Sequence, residues 1–350
     1  MKKIFIAVLA VAAMASCATD EVVNAPKGAA IGFDETFVDN AVRANDINAS
    51  NLENHNFRVY GSVVKDSQTG IIFNGTLVSK GITNGELDSA WKYEGTHYWI
   101  PSASYYFVGL APATNAHWSY NYGTDDDAYS GTITFDNAAA SANQDLIFDN
   151  DSRVTGATIQ ENPAKVGFSF SHILSRVKFT FTNAFDASNN ITLKVTDVVL
   201  EGLYPTGTVA VENGTVGTWS AAGTTFNKTF GAALTADAAD NDVMTANLSA
   251  TTEHFYVIPT NVTYTVKFKV TLYQAGVEID TYDRQAPVTI NAVKGYSYEV
   301  KADLTAANVS DDDAVLEPIE FNVDAVADWA TFTDVDIPDE DIEKLPAQGN

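Results

Sequence analysis

Side chains able to do covalent or acid–base chemistry are few in this sequence, and their spacing assembles no site. Cys17 is the only cysteine among the 350 residues, which rules out an intramolecular disulfide and leaves no Cys/His pairing. His55, His97, His117, His172 and His254 are scattered without metal-ligand spacing, and no HExxH pattern accompanies them. His172 falls in an alternating strand pattern and reads as a core or edge histidine. The runs Asp125-Asp126-Asp127 and Asp311-Asp312-Asp313 lack the glycine and closing glutamate of a calcium loop, so they read as solvated charge. A glycosidase needs two carboxylates at a separation set by its fold, and among 45 acidic residues no pair is singled out. GxSxG and phosphate-loop patterns are missing too. The expectation is no enzyme, no cofactor and no metal. Trp91, Trp99 and Trp118, close to several tyrosines, could form a sugar-stacking platform, although aromatic sandwich cores have the same composition.

Two residues point instead to processing. Met1-Lys2-Lys3 followed by the apolar run Ile4 to Ala15 reads as a secretory signal, the run being too short to cross a bilayer as a helix. It closes on Met14-Ala15-Ser16-Cys17, which looks like a bacterial lipobox; Cys17 would then be lipidated and would tether the chain to a membrane. Between Lys27 and Arg58 no Lys or Arg other than Arg43 occurs, so a trypsin-like protease would find one site there. The polar run Ala44 to Asn56 beyond it reads as exposed linker.

The elements around these residues are strands. Aromatics make up 11% of the chain, Thr, Val and Tyr are plentiful, and no stretch keeps a helical period. Ile31, Phe33 and Phe37 take odd positions and Gly32, Asp34 and Thr36 even ones, the period of a strand buried on one face. Phe57 to Val64 and Ile71 to Val78 read as a hairpin, and an aromatic cluster runs from Trp91 to Phe107. Ser119 to Ala142 reads as loop apart from Thr132 to Phe135, and Asn162-Pro163 marks a boundary. Val166 to Phe170 then opens a second set of strands, which ends at Leu304. The tail repeats the opening theme: Ile319-Glu320-Phe321-Asn322 matches Ile31-Gly32-Phe33-Asp34, and apolar residues hold the odd positions from Ile319 through Val323 to Trp329. By pattern alone the tail serves equally well as an ordinary last strand of its own domain. The formal charge of −25 disfavours nucleic acid and anionic membrane surfaces as partners.

Taken together, the lipobox at Cys17, the leading strand with Arg43, the segment Trp91 to Pro101, Phe170 to Phe179, Phe255 to Pro259 and Lys294 to Tyr298 resemble the fimbrillins, the subunits of type V pili of Bacteroidetes. Asp20-Glu21 resembles the acidic export signal of surface lipoproteins in the same bacteria. Asp88-Ser89-Ala90 resembles their short O-glycosylation motif. The resemblance implies an all-β chain with two tandem β-sandwich domains of transthyretin-like or Ig-like type. Their limits would be 1–17 signal and lipobox, 18–43 propeptide with the leader strand, 44–163 and 164–313 the sandwiches, and 314–350 a donor-strand tail. It further implies an outer-membrane lipoprotein precursor, cut between Arg43 and Ala44 by an Arg-specific surface protease and polymerised head to tail with other pilin subunits. Ile31, Phe33 and Phe37 would be the leader anchors, and Ile319, Phe321, Val323 and Trp329 the donor anchors. The alternative is a lipid-anchored carbohydrate-binding protein that does not polymerise.

Overall fold

The structure, a computed structural model, describes residues 30–33, 37–38, 47–48, 51–83, 86–123, 127–138, 143–156, 165–231, 234–236, 243–309 and 319–326. Strands dominate it, and the helices among the described residues are single short turns. In chain order the first strands are β1 (Phe37–Val38), β2 (Phe57–Lys65), β3 (Gln68–Thr83), β4 (Glu86–Lys92) and β5 (Ser104–Ala111). Next come β6 (Trp118–Tyr122), β7 (Gly131–Asp136), β8 (Ile147–Val154), β9 (Ser169–His172) and β10 (Ser175–Asn183). The middle holds β11 (Ile191–Leu203), β12 (Thr206–Glu212), β13 (Thr215–Ala222), β14 (Phe226–Thr229), β15 (Thr235–Ala236) and β16 (Ser249–Thr251). The last are β17 (Phe255–Val257), β18 (Asn261–Gln274), β19 (Val277–Asn291), β20 (Ser297–Leu304) and β21 (Asn322–Val326).

Turn chemistry sets three of the hairpins. Asp66-Ser67, Asn213-Gly214 and Ala275-Gly276 join β2 to β3, β12 to β13 and β18 to β19, and all six residues have positive φ. A two-residue loop with both φ values positive follows the right-handed twist of the strands it connects.

Four sheets result. One has the order β1-β9-β8-β5-β2-β3-β4, and a second, β13-β12-β7-β6, packs against one of its faces. Alternation along β5 divides the burial between those faces. Tyr105 and Phe107 point into one aromatic core with Phe57, Phe73, Phe168 and Phe170, while Val108 and Leu110 point into the other with Ile133, Phe135 and Trp219. The remaining sheets, β15-β16-β10-β20-β21 (with β17 also on β10) and β14-β11-β18-β19, enclose a third core around Phe179, Phe181, Val266 and Phe268. The sheets do not part at residue 163: β12 pairs with β7, and β9 pairs with β8.

Two local expectations are corrected. Trp118 to Tyr122, inside the stretch read as loop, forms β6, because one aromatic at every second position suffices once Tyr120 is buried and donates from its hydroxyl to the Ala128 carbonyl at 2.9 Å. The run after Arg43 is not all exposed linker: Ile47 and Leu52 are buried in the first core, two apolar anchors that the polar average of the segment conceals.

Candidate functional site

Residues 30–33 lie between two stretches of backbone at the far ends of the seven-stranded sheet. On one side Ala30 bridges antiparallel to Tyr98, just beyond β4, and the Ile31 amide donates to the His97 carbonyl at 2.8 Å. Opposite, Phe33 bridges parallel to Val166, just before β9, and the Val166 amide donates to the Gly32 carbonyl at 2.8 Å. β1 continues the contact, with Phe37 and Val38 parallel to Ser169 and Phe170. The segment thus closes a curled sheet whose two ends would otherwise be unpaired edges.

Its side chains fill the space beneath. Phe33 is 1% exposed, and its ring centroid lies 5.6 Å from those of Phe73 and Tyr93 and 6.2 Å from those of Phe57 and Phe168. Ile31 is buried beside it. Full burial of a large apolar side chain is worth about 1.5–3 kcal/mol, so the two anchors hold the segment by several kcal/mol before any backbone pairing is counted. The Tyr93 hydroxyl adds a bond to the Ile31 carbonyl at 2.9 Å and accepts from the His97 amide at 3.2 Å. Burial pushes the Tyr93 phenol above its ordinary range, which keeps the donating proton in place, and burial lowers the His97 imidazole towards its neutral form.

The other predicted strand has a different seat. β21 pairs antiparallel with β20 from Asn322↔Lys301 to Val326↔Ser297 and, among the described residues, is the last strand of its sheet. Ile319 is buried in the third core, with Phe321 and Val323 half-buried against it. The Phe321 ring stands edge-on to Phe179 and Phe181, both at 6.1 Å, and to Phe268 at 6.4 Å. Leader and tail anchors are therefore not brought together: Ile31 and Phe33 sit in the first core, Ile319 and Phe321 in the third. Phe37 is placed only by its backbone pairing. Cys17, Arg43, Ala44 and Trp329 lie outside the described residues. The chain's other arginines, Arg58, Arg153, Arg176 and Arg284, all lie within strands.

Sequence reasoning missed the contact that holds the chain beyond Arg43. The Ile47 amide donates to Oδ2 of Asp145 at 3.0 Å, and the same carboxylate meets His172 Nδ1 at 2.9 Å, with both side chains 1% exposed. Alternation alone could place His172, but nothing in the sequence pairs it with Asp145. The aromatic cluster is a core and not a platform: Trp91 and Trp99 are buried, Trp91 edge-on to Phe57 and Trp99 edge-on to Tyr105. Asp127 turns inward to accept from the Tyr129 amide at 2.9 Å, and no group of metal-ligating residues occurs among the described residues.

The chain is all-β, with a short N-terminal segment closing one sheet and a C-terminal strand at the edge of another. The chain belongs to the fimbrillin-like family, whose model matches residues 43–323. Among solved structures it is similar to a fimbrial protein from Bacteroides vulgatus, with a TM-score of 0.59 and 17% identity over 86% of this chain and 99% of that one. It also matches the fimbrial anchor protein Mfa2 from Porphyromonas gingivalis, with a TM-score of 0.33 and 9% identity over 85% of this chain and 99% of that one. The first likeness shows the fold. No curated protein matches the chain.

Proposed function

We propose that this protein is a structural pilus subunit, made as a lipoprotein precursor anchored through Cys17, cut after Arg43 at the cell surface by an Arg-specific protease, and polymerised by exchange of strands. Removal of the leader vacates the seat of Ile31, Phe33 and Phe37, and the tail of another copy, led by Ile319, Phe321 and Val323 with Trp329 further on, takes it. The acceptor groove and the donated strand are different surfaces, so the contact is head to tail and builds an open filament. The role is structural, in adhesion, with no catalytic step.

The observation that carries this reading is the two-sided seat of the leader. A strand there pairs with backbone at 97–98 and at 166, whereas among the described residues β21 pairs with β20 alone. A donor moving from a one-sided to a two-sided site gains pairing, and Phe321 exchanges a half-buried position for one in which Phe33 is 1% exposed. β-strand addition to an open edge draws its affinity from such main-chain bonds and its specificity from the pockets for alternate side chains. The placement of the other arginines within strands supports Arg43 as the processing site. Sequencing the N-terminus of protein recovered from the cell surface tests the scheme: Ala44 is expected first, and a chain still beginning at lipidated Cys17 would overturn it.

A further inference from the structure

We propose that Lys165 on the groove rim and Glu320 on the incoming tail form an ion pair across the subunit contact that fixes the register of the donated strand. The inference rests on the strand-exchange reading and adds to it the residue pair that selects the partner. In the precursor the position between the two leader anchors is Gly32. A Cβ there would lie 3.4 Å from Cγ and 3.6 Å from Cδ of Lys165, so a side chain at this position starts in contact with the lysine stem. Lys165 itself is exposed.

The tail has the same alternation with a different residue in the middle. Ile319 is buried, Glu320 exposed and Phe321 half-buried, as Ile31 and Phe33 flank Gly32. With Ile319 in the seat of Ile31 and Phe321 in that of Phe33, Glu320 takes the place of Gly32 and its carboxylate reaches the Lys165 ammonium. A slip of one residue would turn Glu320 into the apolar cage of Phe57, Phe73 and Tyr93, where an unpaired charge is costly. Glu320 thus brings a carboxylate to the position that Gly32 holds in the leader. In a chain with 45 acidic and 20 basic residues, copies repel one another at long range, so a lysine placed at the mouth of the acceptor site has selective value.

Charge reversal tests the pair. Full-length precursors carrying Lys165→Glu, Glu320→Lys or both are cut with an Arg-specific protease, and assembly is followed by light scattering at low salt, with the thermal unfolding of the uncut chains as the control for folding. Each single reversal is expected to slow assembly about five- to tenfold, from the loss of a partly exposed pair and the like-charge contact that replaces it. The double reversal should return the rate to within about twofold of the parent, and Lys165→Arg should assemble like the parent. Single variants that assemble at the parental rate, or a double variant no faster than either single, would overturn the pair while leaving strand exchange intact. A parent chain that stays monomeric after losing its leader would overturn strand exchange itself, and the pair with it.

Discussion

The rings of Phe33 and Phe168 lie nearly parallel, 17° apart with centroids at 6.2 Å, although 135 positions separate them in the chain. One belongs to the leader and the other to the segment entering β9. Through this contact a piece of chain that precedes Arg43 becomes part of the first core. Ile31 and Phe33 thus act as core residues, and in the scheme proposed above their removal would leave a lined vacancy instead of a trimmed terminus.

Truncating this ring should cost what core aromatics usually cost. Phe33→Ala in the intact precursor is expected to lower stability by about 3–5 kcal/mol, seen as a fall in the urea midpoint with an unchanged slope. An unchanged midpoint would mean that the ring is not in the core.

Phe321, the donor anchor of the proposed scheme, should behave differently, because it is only half-buried on its own chain. Phe321→Asp should leave the uncut precursor folded and monomeric, by circular dichroism and sedimentation, yet abolish assembly after cleavage, since a charged side chain cannot enter the aromatic cage. Phe321→Leu should retain assembly. Filaments from the Asp variant would show that Phe321 is not an anchor.

Asp145 ties the chain beyond Arg43 to β9. Asp145→Ala leaves the Ile47 amide and the buried His172 ring without this acceptor, which is expected to cost about 1–3 kcal/mol for each group left unsatisfied. The loss should appear as faster amide exchange at Ile47 than in the parent chain. Parental exchange there would place the anchoring of this segment elsewhere.

Acid should loosen the seat of β21. Burial pushes the Glu299 carboxyl up, but hydrogen bonds from Lys178 and Thr180 and the charges of Lys178 and Lys301 outweigh it and hold the group below its usual value of 4.5. The charged form is thus favoured by folding, and its contribution is complete above that value and lost as pH falls through the lower folded one. Glu299 pairs in register with Asp324 of β21, so the sheet edge is affected directly. Stability measured by urea from pH 7 to pH 3 should fall more steeply for the parent than for Glu299→Gln. Parallel curves would exclude Glu299 as the cause.

Legibility in the sequence followed the range of the interactions. The leader and the tail were readable because alternation is a local property: Ile31 and Phe33, like Ile319 and Phe321, announce a buried face within four residues. The hairpin of β2 and β3 is readable for the same reason, although its two-residue turn at Asp66-Ser67 is not. The walls of the leader groove were not, since His97, Tyr98 and Val166 meet only through the curl of a whole sheet. Pairing of β7 with β12, which joins residues 131–136 to 206–211, has no local signature either. Ile47 and Leu52 were lost in a polar average, and the bond between Asp145 and His172 spans 27 positions without a motif. Home pairing of β21 on β20 matches the ordinary last strand that the tail's pattern equally allowed. Its edge position is what keeps the tail available for exchange in the scheme proposed above.

The central claim, that one copy's tail takes the leader's place in another, is most directly tested by a disulfide between copies. Ala30 faces Tyr98 across the antiparallel bridge, and the matched register puts Pro318 of the donor where Ala30 lies. With the native cysteine removed as Cys17→Ser, precursor carrying Tyr98→Cys is mixed with precursor carrying Pro318→Cys, and the mixture is oxidised before and after cleavage at Arg43. Strand exchange predicts a covalent dimer of one chain of each kind, formed only after cleavage. Oligomers that form without this link, or a link equally abundant before cleavage, would contradict it.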